Sequence, residues 1–243
     1  LIKDDVESLD FVEITPDLSM AIAVENNAVT IFDLTDEDDV PVKAVFNPVY
    51  ESGADITSMT LLSGSSSVLF GTSDGKVHQY FEVAGDKGRK FQLIRSFDVS
   101  DNEAVAAIYP ETFRKSFYTV TPTGHVGVYY TTSEAKLWQG KLLDNAEQPF
   151  AIAPRANGVV IGNEQSIELF SVHNEHPEVT WSALWQEVWY EGYPEPAYIW
   201  QSSSGSDDFE AKLSLVPISF GTMKAAFYAM LFAVPIAISA AIY

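Results

Sequence analysis

Cysteine is absent from the 243-residue chain, which excludes disulfides, thiolate metal sites and cysteine nucleophiles and leaves the redox compartment open. Basic residues are scarce: 14 Lys and Arg stand against 34 Asp and Glu, for a formal net charge of −20, with only 4 His. Such a balance repels polyphosphates and anionic lipid surfaces, so it argues against nucleic acid as a partner and against a dedicated phosphate-capture protein. No P-loop and no H-E-x-x-H pattern occurs. The first residues, LIKDDVESLDFV, lack the basic, apolar and small-residue regions of a signal peptide, so a translocated domain would need an anchor upstream. Long apolar runs are missing too, except for one at the far end of the chain.

What is present up to about Ser206 is a series of short alternating or wholly apolar runs, separated by Gly, Asn, Asp, Ser and Pro clusters. Four segments share the order strand, polar turn, strand ending in an aromatic. They are AIAVENNAVTIFDL from Ala21, VLFGTSDGKVHQYFEV from Val68, FYTVTPTGHVGVYYT from Phe117 and VVIGNEQSIELFSV from Val159. Val29, Val77, Val126 and Ile167 superimpose, as do Phe32, Tyr80, Tyr129 and Phe170, at spacings of 48, 49 and 41 residues. Periods of this length with several strands each mark the blades of a β-propeller. Asn26–Asn27, Asp74–Gly75 and Thr123–Gly124 supply turn residues that take positive φ. VKAVF from Val42, FQLIRSF from Phe91 and AKLWQG from Ala135 are candidate outer strands.

The expected fold is therefore all-β: a propeller-like repeat domain over residues 1–180, of about four blades, followed by a C-terminal transmembrane α-helix. An ordinary β-sandwich with chance periodicity is the alternative. Four blades make an unusual closed ring, and open sheet edges are hazardous, so the expectation is that further blades precede Leu1 or that another chain completes the ring.

From Thr180 the pattern changes. Trp181, Leu184, Trp185, Val188 and Trp189 fall on one face of a helix with Thr180 as N-cap. Trp181, Trp185 and Trp189 suit a membrane–water interface, or else pack on the β-domain. Residues 181–220 then comprise this amphipathic helix, a Pro-, Tyr- and Ser-rich linker and a membrane elbow. The last 23 residues, Gly221–Tyr243, carry one charge, Lys224, which can snorkel to an interface. As a helix they span about 34 Å, against a hydrocarbon core of about 30 Å. Gly221, Ala225, Ala229, Ala233, Ala237 and Ala241 recur every fourth residue, a small-residue ridge that lets helices approach closely.

The other candidate sites are weaker. Asp36, Glu37, Asp38 and Asp39, with Asp33, lack the glycine of a calcium loop and read as a solvated loop. His173, His176, Glu175 and Glu178 do not assemble three well-placed metal ligands. Gly71–Tyr80 looks like the turn of quinoprotein repeats, although a hairpin explains it. Lys87, Arg89 and Lys90 form the one obvious basic cluster. None of these supports catalysis, and no cofactor or metal is expected.

The segment Trp181–Tyr243 resembles the PstC family, the permease subunit of phosphate-specific ABC importers, in its enlarged Gram-negative form. The likeness rests on WYEGYPEPAYIWQSSS from Trp189, DDFEAKLSLVPISFGTMKAAF from Asp207 and AMLFAVPIAISAAIY from Ala229. It covers about a quarter of the chain and is silent on residues 1–180. The resemblance implies an inner-membrane protein whose β-domain lies in the periplasm between a first helix upstream of Leu1 and a second helix at Gly221–Tyr243, with Leu213–Phe220 as elbow. It implies as partners a second permease subunit, a cytoplasmic ATPase and a periplasmic phosphate-binding protein, besides the lipid bilayer. Two rival expectations are a membrane-anchored periplasmic propeller scaffold without transport and a quinoprotein-like dehydrogenase.

Overall fold

The computed structural model describes residues 8–36, 38–85, 88–163, 165–205 and 209–243. Three antiparallel four-stranded sheets follow one another. The first holds β1 (Phe11–Ile14), β2 (Met20–Glu25), β3 (Ala28–Asp33) and β4 (Val42–Phe46). The second holds β5 (Ile56–Leu61), β6 (Ser67–Thr72), β7 (Lys76–Gly85) and β8 (Gly88–Asp98), and the third β9 (Ala107–Pro110), β10 (Ser116–Val120), β11 (His125–Tyr130) and β12 (Ala135–Lys141). A fourth sheet has β13 (Phe150–Ile152), β14 (Gly158–Gly162) and β15 (Ile167–Ser171). Within every sheet the strands stand in chain order, and the first strands β1, β5 and β9 are neighbours in space. These are the blades of a propeller-like arc.

The repeat is visible in register. β3 and β4 slip between Ile31 and Phe32, β7 and β8 between Gln79 and Tyr80, and β11 and β12 between Val128 and Tyr129. Each slip leaves one residue of the outer strand unpaired (Lys43, Ile94 or Leu137) immediately opposite the repeat aromatic. A bulge there bends and twists the outer strand in the same sense three times. The core lies between blades. Ile22, Val24, Val29 and Ile31 face Val68, Phe70 and Tyr80, with Phe46 stacked on Tyr80 at 4.8 Å. Between blades 2 and 3, Phe97 meets Phe117 edge-on at 5.1 Å. Tyr118, Val120, Val126 and Val128 face Val159 and Ile161 in the next interface.

The fourth blade departs from the repeat. Val29, Val77 and Val126 are each 0% exposed, whereas Ile167 is 79% exposed. The reason is that β15 has no outer strand, and among the described residues no further sheet covers its far face. On its other side, between this blade and the third, lies a groove of about 440 Å³ beside Leu137, Trp138, Leu142 and Phe170.

The turns follow the expected chemistry in part: Asn26 and Asn27 have φ of 50° and 63°, and Gly75 and Gly124 have φ of 79° and 83°, whereas Asp74 and Thr123 do not take positive φ. A Cβ on Gly124 would lie 2.1 Å from the Leu143 carbonyl oxygen, and one on Gly75 would lie 1.9 Å from that of Ser100. In both blades the turn carbonyl accepts from the chain leaving the outer strand, at 3.0 Å from the nitrogen of Leu143 or Ser100. Gly124→Ala should therefore cost at least about 2 kcal/mol, combining left-handed strain with displacement of that segment. A denaturation midpoint unchanged from wild type would show that the turn is built differently.

Candidate functional site

Two features leave the propeller and have no counterpart in its repeat: a stalk over residues 172–205 and 209–215 and the helix that follows it. The stalk begins with α1 (Trp181–Trp185), whose N-cap Thr180 accepts from the Ala183 N–H at 3.1 Å. This helix is shorter than the sequence pattern suggests. The pattern Trp181–Trp189 is shorter than the roughly 12–15 residues below which an isolated helix is marginal. Here, Val188 instead pairs with Ala197, exchanging backbone hydrogen bonds of 3.1 and 3.2 Å. Trp189 thus leaves the expected face. Its ring stands edge-on to Phe81 at 6.2 Å, and its Nε1–H donates to the Tyr193 carbonyl at 2.9 Å. Trp181 and Trp185 stay outside, 78% and 38% exposed. A short pairing of β16 (Trp200–Gln201) with β17 (Lys212–Leu213) completes the stalk.

Buried polar groups fasten the stalk to blades 2 and 3. The Glu191 carboxylate accepts from Ser67 Oγ at 2.5 Å and from Lys115 Nζ at 2.6 Å, and Lys115 also donates to the Ser63 carbonyl at 2.5 Å. Gln79 donates to Ser67 Oγ at 2.9 Å and accepts from Arg95 at 3.0 Å, while Arg95 also donates to the Trp189 carbonyl. Tyr130 donates to Glu210 at 2.8 Å. Ser67, Gln79, Arg95 and Lys115 are all buried. Apart from Trp189, no member of this network stands out in the sequence as a candidate site residue.

Burial pushes the Glu210 carboxyl above its ordinary value of 4.5, despite its hydrogen bonds to Thr132 and Tyr130. Burial does the same to Glu111, in spite of Arg114. Between that ordinary value and the raised folded values, the folded state holds more protons than the unfolded one. These two groups therefore make stability fall as pH rises through that window. Glu210→Gln and Glu111→Gln should each flatten the decline in denaturant midpoint above pH 4.5. A decline as steep as wild type in both variants would refute the assignment.

The second feature is α2 (Val216–Ile242), 27 residues long, with Pro217 in its first turn, Pro235 inside it and no buried residue. Its most apolar stretch has a mean hydropathy of 2.1. Apolar side chains occupy every side of the helix, as expected of a segment surrounded by hydrocarbon rather than half-packed on a protein. Ser239 Oγ donates to the Pro235 carbonyl at 2.8 Å, and Thr222 Oγ1 donates to Ile218 at 2.9 Å, so both hydroxyls are satisfied within the helix. Gly221, Ala225, Ala229, Ala233, Ala237 and Ala241 all lie on α2 and all are exposed. At four-residue spacing they form an oblique ridge, winding around the axis, of the kind that fits a partner helix's groove. Lys224, also exposed, stands near the stalk end.

The remaining candidates do not converge on chemistry. Glu37 and Lys87 lie outside the described residues. Asp33 accepts from Thr35, and Asp36 accepts from the Asp38 backbone, as in ordinary solvated turns. His176 meets Glu178 at 3.3 Å on the surface, and among the described residues no group of three metal-ligand side chains forms. Gly71–Gly75 spells G-x-S-x-G, but Ser73 sits in the turn between β6 and β7, not at a strand-to-helix elbow, and its Oγ accepts from the Asp55 N–H at 2.9 Å. Arg89 pairs with Glu82 at 3.3 Å, with its own side chain 70% exposed.

No family model matches the chain, and no curated protein matches it. Solved structures do. A crystal structure of RRP9 WD40 repeats matches with a TM-score of 0.50 at 13% identity, over 70% of this chain and 53% of that one. A structure of U3-55K matches with a TM-score of 0.51 at 13% identity, over 71% and 54%. The chain thus spans about half the length of the WD40 proteins it resembles. At this identity the likeness shows the fold alone: sheets of the WD40 blade type.

Proposed function

We propose that the chain is a membrane-anchored propeller, whose blades form an interaction surface held beside the bilayer by α2. The observation that carries this reading is α2 itself: an apolar helix of 27 residues, none buried, continuous with a propeller that is fastened to its base. Its length of about 40 Å matches the thickness of a bilayer with its headgroups.

A second reading is favoured by the small-residue ridge, which a solitary anchor does not need, and by the resemblance of Trp181–Tyr243 to PstC permeases. In it, α2 is one wall of a phosphate pathway in an inner-membrane ABC importer, and the propeller is a periplasmic domain for docking or regulation. Its partners would be a second permease subunit, a cytoplasmic ATPase and a phosphate-binding protein. The test is uptake of labelled phosphate in cells that lack every other phosphate importer. Ala233→Leu should overpack the ridge, costing about 1–3 kcal/mol, and should lower uptake at unchanged membrane abundance. If the unaltered protein supports no uptake alongside its ATPase and binding protein, the transport reading fails and the anchored interaction module stands.

A further inference from the structure

We propose that Trp181 and Trp185 form a lipid contact that seats the propeller on the headgroup layer of the bilayer; this rests on reading α2 as a membrane span. The position of α1 carries the inference. The Leu215 N–H, at the N-cap of α2, donates to the Leu184 carbonyl at 2.9 Å. That bond fixes α1 at the level of the first residue of α2. A helix of 27 residues is about 40 Å long, which is the full thickness of a bilayer including both headgroup regions. With the far end of α2 at the opposite surface, Val216 lies in the headgroup layer, and α1 lies beside it.

The side chains on α1 suit that layer. Trp181 is 78% exposed, and its ring centroid stands 6.0 Å from that of Trp185. Among the described residues neither indole N–H has a protein acceptor, unlike that of Trp189. Two adjacent indoles with free N–H groups can place their rings against the upper acyl chains while donating to ester or phosphate oxygens. Trp189 is excluded from this contact by its packing on Phe81. Attraction between charges does not drive the contact, since the chain is acidic at −20 and Glu178 and Glu187 flank α1. The partner is therefore an uncharged or zwitterionic headgroup layer, and the contact should be insensitive to salt.

The test uses the full chain in phosphatidylcholine nanodiscs, with lipids brominated either just below the ester groups or near the acyl-chain ends. Shallow bromines should lower the total tryptophan emission by roughly a third, and deep bromines should have much less effect. Replacing Trp181→Phe and Trp185→Phe together should remove most of that quenching, while Trp189→Phe should leave it. Protein that incorporates into nanodiscs but is unquenched by shallow bromines, or is quenched as strongly by deep ones, overturns the contact and leaves the anchor intact. Failure to incorporate at all overturns the anchor reading, and the contact with it.

Discussion

Replacing Lys115 by Met should loosen the stalk from the propeller and lower stability by about 3 kcal/mol, because the partner carboxylate is left buried without its cation. Lys115 and Glu191 are separated by 2.6 Å with side chains only 10% and 17% exposed, so solvent replaces little of the lost interaction. The Ser63 carbonyl loses its donor in the same change. Adding Glu191→Gln should restore much of the loss: the amide removes the stranded charge, and its oxygen still accepts from Ser67. Urea midpoints followed by tryptophan emission report the cost. Faster proteolysis within the stalk, with the blades intact, would locate it. If Lys115→Met has the wild-type midpoint and proteolysis rate, the clamp does not hold the stalk.

The second large effect concerns α2. Leu231 and Val234 lie near its middle, and both are exposed. An aspartate at the centre of a spanning helix costs about 2.5–3.5 kcal/mol in insertion, so Leu231→Asp with Val234→Asp should cost about 6 kcal/mol. That is enough to move the chain from the alkali-resistant membrane fraction to the soluble one. The same pair of substitutions would be harmless in an exposed soluble helix, and a chain that still resisted alkaline extraction would argue that α2 does not span.

How far the sequence could be read depended on whether partners were local. The hairpins of the four repeats and the three outer strands are written in alternation and turn residues, and all appear as blades. Asn26–Asn27, Gly75 and Gly124 reported their φ signs directly. α2 was legible as an apolar run, and its start differs from expectation by five residues because Val216–Phe220 extend it N-terminally. α1 was over-read, since the periodic tryptophans could not reveal that Val188 would pair with Ala197. The clamp was illegible because its members are far apart in the chain: Glu191 meets Ser67 across 124 residues and Lys115 across 76. One signal was available. Gln79 sits in the inward phase of Val77-x-Gln79-x-Phe81, a polar side chain that demands a buried partner.

The absence of native cysteine makes the central claim directly testable by single introduced thiols. Asp101→Cys places one on the exposed propeller, and Tyr243→Cys places one at the far end of α2. A membrane-impermeant maleimide is applied to intact spheroplasts and to inverted vesicles made from the same cells. The account predicts that the two positions label from opposite sides, each becoming reactive from the other side only after the bilayer is permeabilised. Labelling of both thiols from the same side of intact membranes would contradict a propeller anchored by a spanning helix.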